Sequence, residues 1–402
     1  MRGEVRLGEW LTRIEAGKSP AAEDTPAGEG EWGVLKVSAV QPGGFAAREN
    51  KVIRDMALVH PRYEVRHGDL LMTRANTEEL VGMACIADTP PPRLLLSDKT
   101  LRLYVDESRA DRKFVQLTLA RSESRHRVRA LATGTSAGMK NIGQEQVRQL
   151  PVPDVPLEEQ RGIVAAHAAF DRRIGALERT LGKLRVAEEA LSGEALSPGP
   201  HWEYAAVKSV AEVAAGVTLG AEPLGDGTVE LPYLRVANVL DGRIDTTDVK
   251  RVRILGSHLE RYAVQKGDLL LTEGGDLDKL GRGAVWDGRI EPCLHQNHVF
   301  RVRCGNRMDP DFLALYTASP EGRAYFQRVG KQTTNLASIN STQVKAMRVP
   351  VPPLEEQQRN LEPVRTVRAR VRAVEQQVAK LRTIQGGVVE DLLAGRVRLA
   401  AA

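Results

Sequence analysis

The chain of 402 residues repeats itself at a nearly constant offset, and this duplication constrains its fold more than any other feature. The segment VPDVPLEEQ, Val152–Gln160, returns 197 residues later as VPVPPLEEQ, Val349–Gln357. Upstream, an offset of 199 pairs HGDLLMT, His67–Thr73, with KGDLLLT, Lys266–Thr272. Self-similarity of this kind indicates two copies of one unit of about 200 residues. Each copy has a variable first part and a better matched tail.

The variable part of each copy predicts a compact α+β domain. Short β-branched or Leu-rich runs bounded by Gly, Pro and Asp clusters are typical of strands and turns. In the first copy these runs are KVSAV, DLLMT and LRLYV, and in the second they are LRVANV, DLLLT and VFRVRC. The segments KFVQLTLA from Lys113 and DFLALYTAS from Asp311 predict a short helix near the end of each domain.

The matched tails predict long helices with an apolar seam. Apolar residues recur there at spacings of three and four, the pattern of a coiled-coil face. The seam residues are Phe170, Ile174, Leu177, Leu181, Leu184 and Leu191 in the first tail, and Val367, Val371, Val374, Val378, Leu381 and Val388 in the second. The skipped seam position is polar in both copies, Glu188 and Gln385. An amphipathic helix packed on its own domain is the alternative, but two matching stripes favour packing of the helices against each other.

Composition places the protein in a broad class without deciding its function. A net charge of +5 permits a nucleic-acid partner without requiring one. Three cysteines with no close CxxC pair predict reduced thiols. The charged N-terminus and the lack of eighteen consecutive apolar residues predict a cytoplasmic protein with no membrane span.

No catalytic or metal-binding motif is visible in either copy. HExxH and GxSxG are missing, and the glycines at 28, 30 and 33 precede a strand rather than a helix, which argues against a dinucleotide fold. Cys293, His295, His298 and Cys304 have no familiar zinc spacing. We therefore predict no catalytic residue and no metal in this chain.

Two variable domains, each followed by a Pro-rich LEEQ start and a long heptad helix, resemble the specificity (S) subunit of Type I restriction-modification enzymes. The resemblance covers essentially the whole chain. The motifs that carry it are VPDVPLEEQ and VPVPPLEEQ, the segments GTSAGMKNIG and KQTTNLASIN, and the GDLL turns at Gly68 and Gly267.

The resemblance implies an α+β fold of two pseudo-symmetric target recognition domains separated by two long helices in an antiparallel coiled coil. Residues 1–150 would form target recognition domain 1, and residues 151–196 the central conserved region with its heptad helix. Residues 197–348 would form target recognition domain 2, and residues 349–402 the C-terminal conserved region with the second heptad helix.

The resemblance also implies a non-catalytic function. Each recognition domain would read one half of a bipartite site in double-stranded DNA, and the scaffold would dock two methyltransferase subunits and, for cleavage, two restriction subunits. S-adenosylmethionine, ATP and Mg would be bound by those partners, with no cofactor in this chain. The LEEQ helix starts are a second candidate surface for partner docking.

Helix length adds a physical constraint to this expectation. From Leu157 to Leu191 a helix extends about 50 Å, more than the roughly 35 Å of one DNA turn. Domains held that far apart would read two half-sites around a spacer of fixed length. Because the two variable parts differ, the two half-sites should differ as well.

The candidate DNA-binding residues are polar or basic side chains on loops that follow strands. In the first copy they are Lys36, Ser38, Gln41, Thr73, Arg74, Asn76, Lys99, Lys140 and Asn141. In the second copy they are Arg235, Asn238, Arg243, Thr272, Glu273, Asn297, His298, Gln332, Thr333 and Asn335. Arg pairs with guanine and Glu accepts from cytosine, so Arg74 aligned with Glu273 predicts a difference in base choice. Solvated surface or turn capping is the alternative role for these residues.

Two other functions stay open at this stage. One is a coiled-coil adaptor that binds proteins and no DNA. The other is a diverged, duplicated enzyme with a site around Asp276, Asp278 and the segment Cys293–Cys304. The adaptor predicts no DNA affinity at any salt concentration, and the enzyme predicts turnover by the isolated chain.

Overall fold

The computed structural model describes residues 3–136, 139–220, 223, 225–332 and 337–398. The chain divides into two compact units: unit 1 comprises Met1–Glu178 and Gln376–Ala402, and unit 2 comprises Arg179–Glu375. Each unit thus combines one variable part with segments of both long helices. The domain boundaries taken from the repeat stay a prediction. Within the described ranges, no helix combines the length and apolarity needed to cross a bilayer.

The first copy begins with short strands and ends in a long helix. Its strands are β1 (Glu4–Arg6), β2 (Leu11–Ala16), β3 (Gly33–Leu35), β4 (Val40–Gln41), β5 (Gly44–Phe45), β6 (Asn50–Val52), β7 (Leu70–Thr73), β8 (Ala75–Asn76), β9 (Ala84–Ile86), β10 (Leu94–Leu95), β11 (Thr100–Val105), β12 (Thr133–Ser136), β13 (Met139–Asn141) and β14 (Pro151–Pro153). Its helices are α1 (Arg112–Ala120), α2 (Ser122–Leu131), α3 (Gln144–Arg148) and α4 (Leu157–Ala195).

The second copy repeats this order of elements and adds one short helix, α5. Its strands are β15 (Glu203–Ala206), β16 (Ala211–Ala215), β17 (Thr228–Leu234), β18 (Val239–Leu240), β19 (Arg243–Ile244), β20 (Lys250–Leu255), β21 (Leu269–Thr272), β22 (Gly274–Gly275), β23 (Gly283–Val285), β24 (Leu294–His295), β25 (Val299–Cys304), β26 (Lys331–Gln332), β27 (Ala337–Ser338) and β28 (Arg348–Val351). Its helices are α5 (Leu259–Tyr262), α6 (Pro310–Ala318), α7 (Pro320–Val329), α8 (Ser341–Ala346) and α9 (Leu354–Ala394).

The same sheet topology organises both units. In unit 1 an antiparallel sheet has the strand order β2-β11-β7-β9, and in unit 2 the corresponding order is β16-β25-β21-β23. A second sheet, β10-β3-β6 in unit 1 and β20-β17-β24 in unit 2, contains one parallel pair in each case. The shared topology confirms the duplication and the α+β class.

A helix packs on the four-stranded sheet of each unit. Phe114 of α1 is fully buried in one cluster with Leu70 and Leu101, and Phe312 of α6 is buried with Leu269 in the second unit. Strands β7 and β21 carry consecutive apolar residues because both faces of each strand are covered. The strands predicted at DLLMT, LRLYV, DLLLT and VFRVRC and the helices predicted at KFVQLTLA and DFLALYTAS are thereby confirmed.

Two predicted strands are wrong. Most of KVSAV is a short 3₁₀ helix, Val37–Ala39, and half of LRVANV is another, Val236–Asn238. In the second, the Asn238 side chain accepts a hydrogen bond from the Arg235 backbone at 2.9 Å and donates to the Asp245 carbonyl at 2.9 Å. Such side-chain-to-backbone bonds stabilise a turn at the expense of the strand that the β-branched residues favour.

The long helices α4 and α9 pack together and run antiparallel. Within unit 1, Arg382 contacts Glu178 at 2.5 Å and Gln385 contacts Asp171 at 2.6 Å, so residue numbers rise along one helix as they fall along the other. The twelve predicted seam residues are all buried or half-buried. Arg172, Arg173 and Arg179 are exposed on the outer side.

The LEEQ glutamine at the start of α4 ties the helix to the loop before α1. Gln160 is fully buried, and its Oε1 accepts from the Asp111 backbone N–H at 2.8 Å. Its Nε2 donates to the carbonyls of Arg109 at 3.2 Å and Val155 at 2.8 Å. One amide therefore satisfies three backbone groups of unit 1.

Gln357 makes the same contacts at the start of α9. Its Oε1 accepts from the Asp309 backbone N–H at 2.8 Å, and its Nε2 donates to the carbonyls of Arg307 at 2.9 Å and Pro352 at 2.8 Å. The side chain is also fully buried. The hydrogen-bonding capacity of both glutamines is therefore used inside each unit, and partner docking by the LEEQ helix starts stays a prediction.

We predict that Gln160→Glu or Gln357→Glu lowers the free energy of unfolding by roughly 1–3 kcal/mol. The substitution keeps the shape of the side chain but replaces its N–H donors with an oxygen that faces two carbonyls. Chemical denaturation monitored by circular dichroism measures the change. Gln358→Glu is the matched control, because Gln358 is exposed on the same helix. Equal stability of all three variants would contradict the role of the buried amides.

Candidate nucleic-acid interface

A small sheet in unit 1 brings together several of the predicted DNA-binding residues. Strand β13 pairs with β8, so that Lys140 lies opposite Asn76 and Asn141 opposite Ala75. The Lys140 ammonium donates to the Gly134 carbonyl at 3.1 Å and spans the β12–β13 hairpin. Asn76 and Lys140 are half-buried and Asn141 is exposed. Lys140 and Asn76 form a cross-strand pair, so their side chains lie on the same face of this small sheet.

Arg74 joins this sheet to the loop that carries Lys99. Its backbone N–H donates to the Lys99 carbonyl at 2.8 Å, and its carbonyl accepts from Ile142 at 2.9 Å. The Arg74 side chain is half-buried and that of Lys99 is exposed. The surface of unit 1 formed by Arg74, Asn76, Lys99, Lys140 and Asn141 is called the unit 1 polar surface below.

The second unit has the same backbone arrangement. The Glu273 backbone N–H donates to the His298 carbonyl at 3.0 Å, and the Glu273 carbonyl accepts from Ile339 at 2.8 Å. Strand β27 pairs with β22 and β26, which sets Gln332 opposite Ala337. Glu273, His298 and Gln332, together with Ser338, form the unit 2 polar surface.

The two polar surfaces differ in charge at one equivalent position. Arg74 is cationic, whereas Glu273 is an anion whose Oε2 lies 2.5 Å from His298 Nδ1. Both residues occupy the same hydrogen-bonded position in the backbone. A guanidinium donates hydrogen bonds and a carboxylate accepts them, so the two units present opposite chemistry on one framework.

Ser338 is a residue that the sequence comparison missed. It lies in β27 opposite Gly274 and is exposed. The offset of 197 residues aligns it with Asn141, so the repeat contained the signal. The predicted residues Thr333 and Asn335 lie outside the described residues. Asn297 is half-buried beside Val217, to which its backbone N–H donates at 2.9 Å.

A second group of predicted residues lies on the loops around the short 3₁₀ helices. Lys36 pairs with Asp24 at 2.6 Å, and the hydrogen bond to that carboxylate raises the pKa of Lys36. Ser38 donates to Glu49 at 2.5 Å, and the exposed Gln41 donates to the Ser38 carbonyl at 3.0 Å. The cation of Lys36 is thus shared with a neighbouring acid rather than free to bind phosphate.

The equivalent loop of unit 2 shows the same engagement. Arg235 pairs with Asp248 at 2.8 Å, whereas Arg243 is exposed on β19. Arg243 is the cation of this loop with the more accessible side chain.

Three predicted DNA-binding residues need correction because they are buried. Thr73 is inaccessible in β7, and its hydroxyl donates to the Leu80 carbonyl at 2.6 Å. Thr272 is buried at the equivalent end of β21. Asn238 is buried and bonded to the backbone of its own loop. A buried side chain whose polar atoms are satisfied contributes to folding rather than to DNA contact.

Cys293 and His295 are buried and Cys304 is half-buried. Burial lowers the pKa of His295 to about 4, and its Nδ1 lies 2.7 Å from the Val299 carbonyl. Burial also raises the pKa of the Cys293 and Cys304 thiols to about 12, the opposite of an activated nucleophile. Across the part of the chain that the structure describes, no cluster of three or more metal-ligating side chains is present.

Of the two aspartates considered for an enzyme site, the structure describes the side chain of Asp276. Asp276 forms an ion pair with Lys279, which lowers the pKa of the Asp276 carboxyl. The side chain of Asp278 lies outside the described residues. An exposed, paired aspartate is typical of a solvated loop.

Comparisons with known proteins find a family match in the second half of the chain. Residues 200–381 match the family described as the Type I restriction modification DNA specificity domain. The chain is 33% identical over 166 residues to the Type I restriction enzyme EcoEI specificity subunit of Escherichia coli. It is 29% identical over 158 residues to a putative Type I restriction enzyme MjaX specificity subunit of Methanocaldococcus jannaschii.

These matches are partial for both proteins. They cover 41% and 39% of this chain, and they span only 28% of the E. coli relative and 37% of the M. jannaschii relative. The chain therefore spans less than two fifths of the length of these relatives.

The fold comparison extends over nearly the whole chain. The structure of a Type I restriction-modification S subunit from M. genitalium superposes with a TM-score of 0.57 at 13% identity, covering 97% of this chain and 96% of that one. A structure described as concerning complex assembly and conformational transition of the Type I R-M system gives a TM-score of 0.57 at 19% identity, covering 97% of each chain. The resemblance inferred from the repeat is thus confirmed: residues 200–381 match the Type I restriction modification DNA specificity domain, and the chain as a whole has the fold of the solved S subunit.

Proposed function

We propose that this protein is a non-catalytic subunit that gives a Type I restriction-modification complex its DNA sequence specificity. Each unit would read one half of a bipartite site through its polar surface. The observation that carries the proposal is the equivalent backbone position held by Arg74 in one unit and Glu273 in the other. A common framework with different side chains is what two different half-sites require.

The proposed function requires other molecules, because this chain would supply sequence specificity and its partners the catalysis. Double-stranded DNA, two methyltransferase subunits and two restriction subunits would assemble with it, in the cytoplasm. Those partners would bind S-adenosylmethionine, ATP and Mg, leaving this chain without a cofactor. Support comes from the relatives, which are named as restriction enzyme specificity subunits, and from a fold neighbour whose description concerns complex assembly.

The charge of the chain bears on how it would bind DNA. Its net charge is only +5, and cations such as Lys36 and Arg235 are paired with acids. Phosphate attraction is the main source of sequence-independent affinity. We therefore expect weak DNA binding by the chain alone and tighter binding once partner subunits add contacts.

The two alternative functions have less support. An enzyme would need an activated group, but burial raises the pKa of the Cys293 and Cys304 thiols and lowers the pKa of His295. A coiled-coil adaptor that binds no DNA gives no reason for the two polar surfaces to have the same backbone hydrogen bonds. It also gives no reason for the opposite charges of Arg74 and Glu273 at one equivalent position.

Deletion of the gene should abolish one bipartite methylation motif in the genome of the host. We expect two short, different half-sites around a spacer of fixed length, and their return when the gene is restored. Genome-wide methylation mapping measures this directly. An unchanged methylation pattern after deletion would contradict the specificity function.

Substitution in one polar surface should relax one half-site only. Removing a base contact costs roughly 1–3 kcal/mol of discrimination at one position. We expect Arg74→Ala to relax the half-site read by unit 1 and Glu273→Gln to relax the other. Arg129→Ala is the control, since Arg129 is exposed on α2, outside the unit 1 polar surface. Loss of methylation at both half-sites alike, or an unchanged motif, would argue against base reading by these residues.

Helix length should set the spacer. One heptad added to both α4 and α9 extends each by about 10 Å, which corresponds to about three base pairs. We expect the preferred spacer to lengthen by that amount while the half-sites stay the same. Methylation mapping in cells with the extended protein tests this. An active variant with the original spacer would show that the helices do not determine the spacing.

A further inference from the structure

The polar contacts between α4 and α9 include four side-chain pairs, two in each unit. Unit 1 contains Glu178–Arg382 at 2.5 Å and Asp171–Gln385 at 2.6 Å. Unit 2 contains Arg185–Glu375 and Glu188–Arg368, both at 2.8 Å. Interhelical polar contacts beside an apolar seam set which helices pair.

The offset of 197 residues relates these contacts in pairs. It converts Glu178 into Glu375 and Arg185 into Arg382, so that one contact of each unit is the same ion pair with the helices exchanged. These two contacts are equally compatible with α4 pairing with α9 or with α4 of a second chain, because Glu178 would then face Arg185 of that chain. They carry no preference.

The other two contacts do carry a preference. The same offset converts Asp171 into Arg368 and Glu188 into Gln385, so the equivalent positions have different charges. If α4 paired with α4 of a second chain, Asp171 would face Glu188 twice in one dimer. Like charges at facing positions disfavour that arrangement.

The geometry of Gln385 makes the difference sharper. Its Nε2 donates to Asp171 Oδ1 at 2.6 Å and to the His167 carbonyl at 3.3 Å. Glu188 in the same place would offer no N–H donor to either acceptor. Gln385 is therefore suited to this position in a way that Glu188 is not.

We propose that the Asp171–Gln385 and Glu188–Arg368 contacts are a pairing code that directs α4 to α9 of the same chain and prevents an exchanged dimer in which α4 pairs with α4. A duplicated protein is exposed to this error, because each helix resembles its partner closely enough to replace it. Exchange of equivalent elements between chains is a general route to unwanted dimers. The proposal does not depend on DNA binding.

The test uses the full chain with Glu188→Gln, unfolded and refolded over a range of protein concentrations. This substitution leaves Arg368 with a hydrogen-bond acceptor, and it lets residue 188 replace Gln385 opposite Asp171 of a second chain. We expect the dimer fraction, measured by size-exclusion chromatography with light scattering, to rise with concentration and exceed that of the unsubstituted chain at least about fivefold. Glu178→Gln is the matched control and should stay monomeric, because it removes an equivalent ion pair without relieving the Asp171–Glu188 repulsion.

A cysteine identifies which helices pair. Position 180 lies midway between 171 and 188, so Thr180→Cys should form an interchain disulfide in the Glu188→Gln background and not in the otherwise unsubstituted chain. A second variant, Asp171→Arg with Gln385→Glu, makes all four contacts ion pairs and should also dimerise. It provides an independent test if the Glu188→Gln chain refolds poorly. The proposal is overturned if both variants remain monomeric, if Glu178→Gln dimerises equally, or if the cysteine crosslinks without Glu188→Gln.

Discussion

The structure depends on the antiparallel packing of α4 and α9, because each unit buries residues from the helix of the other copy. In unit 1 the core formed by the first copy includes Leu392 and Leu393 from the end of α9. In unit 2 the core formed by the second copy includes Ala195 from the end of α4. Neither core can be completed by one copy, so the folding of each unit is coupled to the pairing of the two helices.

The two copies share a backbone framework, and they differ in side chains that this framework does not require. The buried glutamines Gln160 and Gln357 make equivalent sets of three hydrogen bonds in the two units, and each amide supplies both the acceptor and the donors that these backbone groups need. Arg74 and Glu273 hold the same backbone position with opposite charges. The polar contacts between the helices follow the same division, with one contact kept and one changed in each unit.

Much of the fold could be predicted because it follows from local patterns. The heptad spacing predicted the two helices, and consecutive apolar runs predicted β7, β11, β21 and β25. The short 3₁₀ helices were missed because a side chain such as Asn238 stabilises the turn through carbonyls of residues that lie further along the chain. Thr73, Thr272 and Asn238 are polar and follow predicted strands, so they resembled surface residues, although all three are buried. Their burial depends on contacts with residues elsewhere in the chain.

The sequence by itself determined that the protein is a duplicated unit and which family it resembles, because a repeat and a heptad are properties of residue order. Only the tertiary structure decided which polar residues remain free. Lys36 is paired with Asp24 and Gln160 is enclosed by backbone, while Arg74 and Lys99 are brought together. Hydrogen-bond partners and burial arise from contacts between residues distant in the chain, and no local pattern records them.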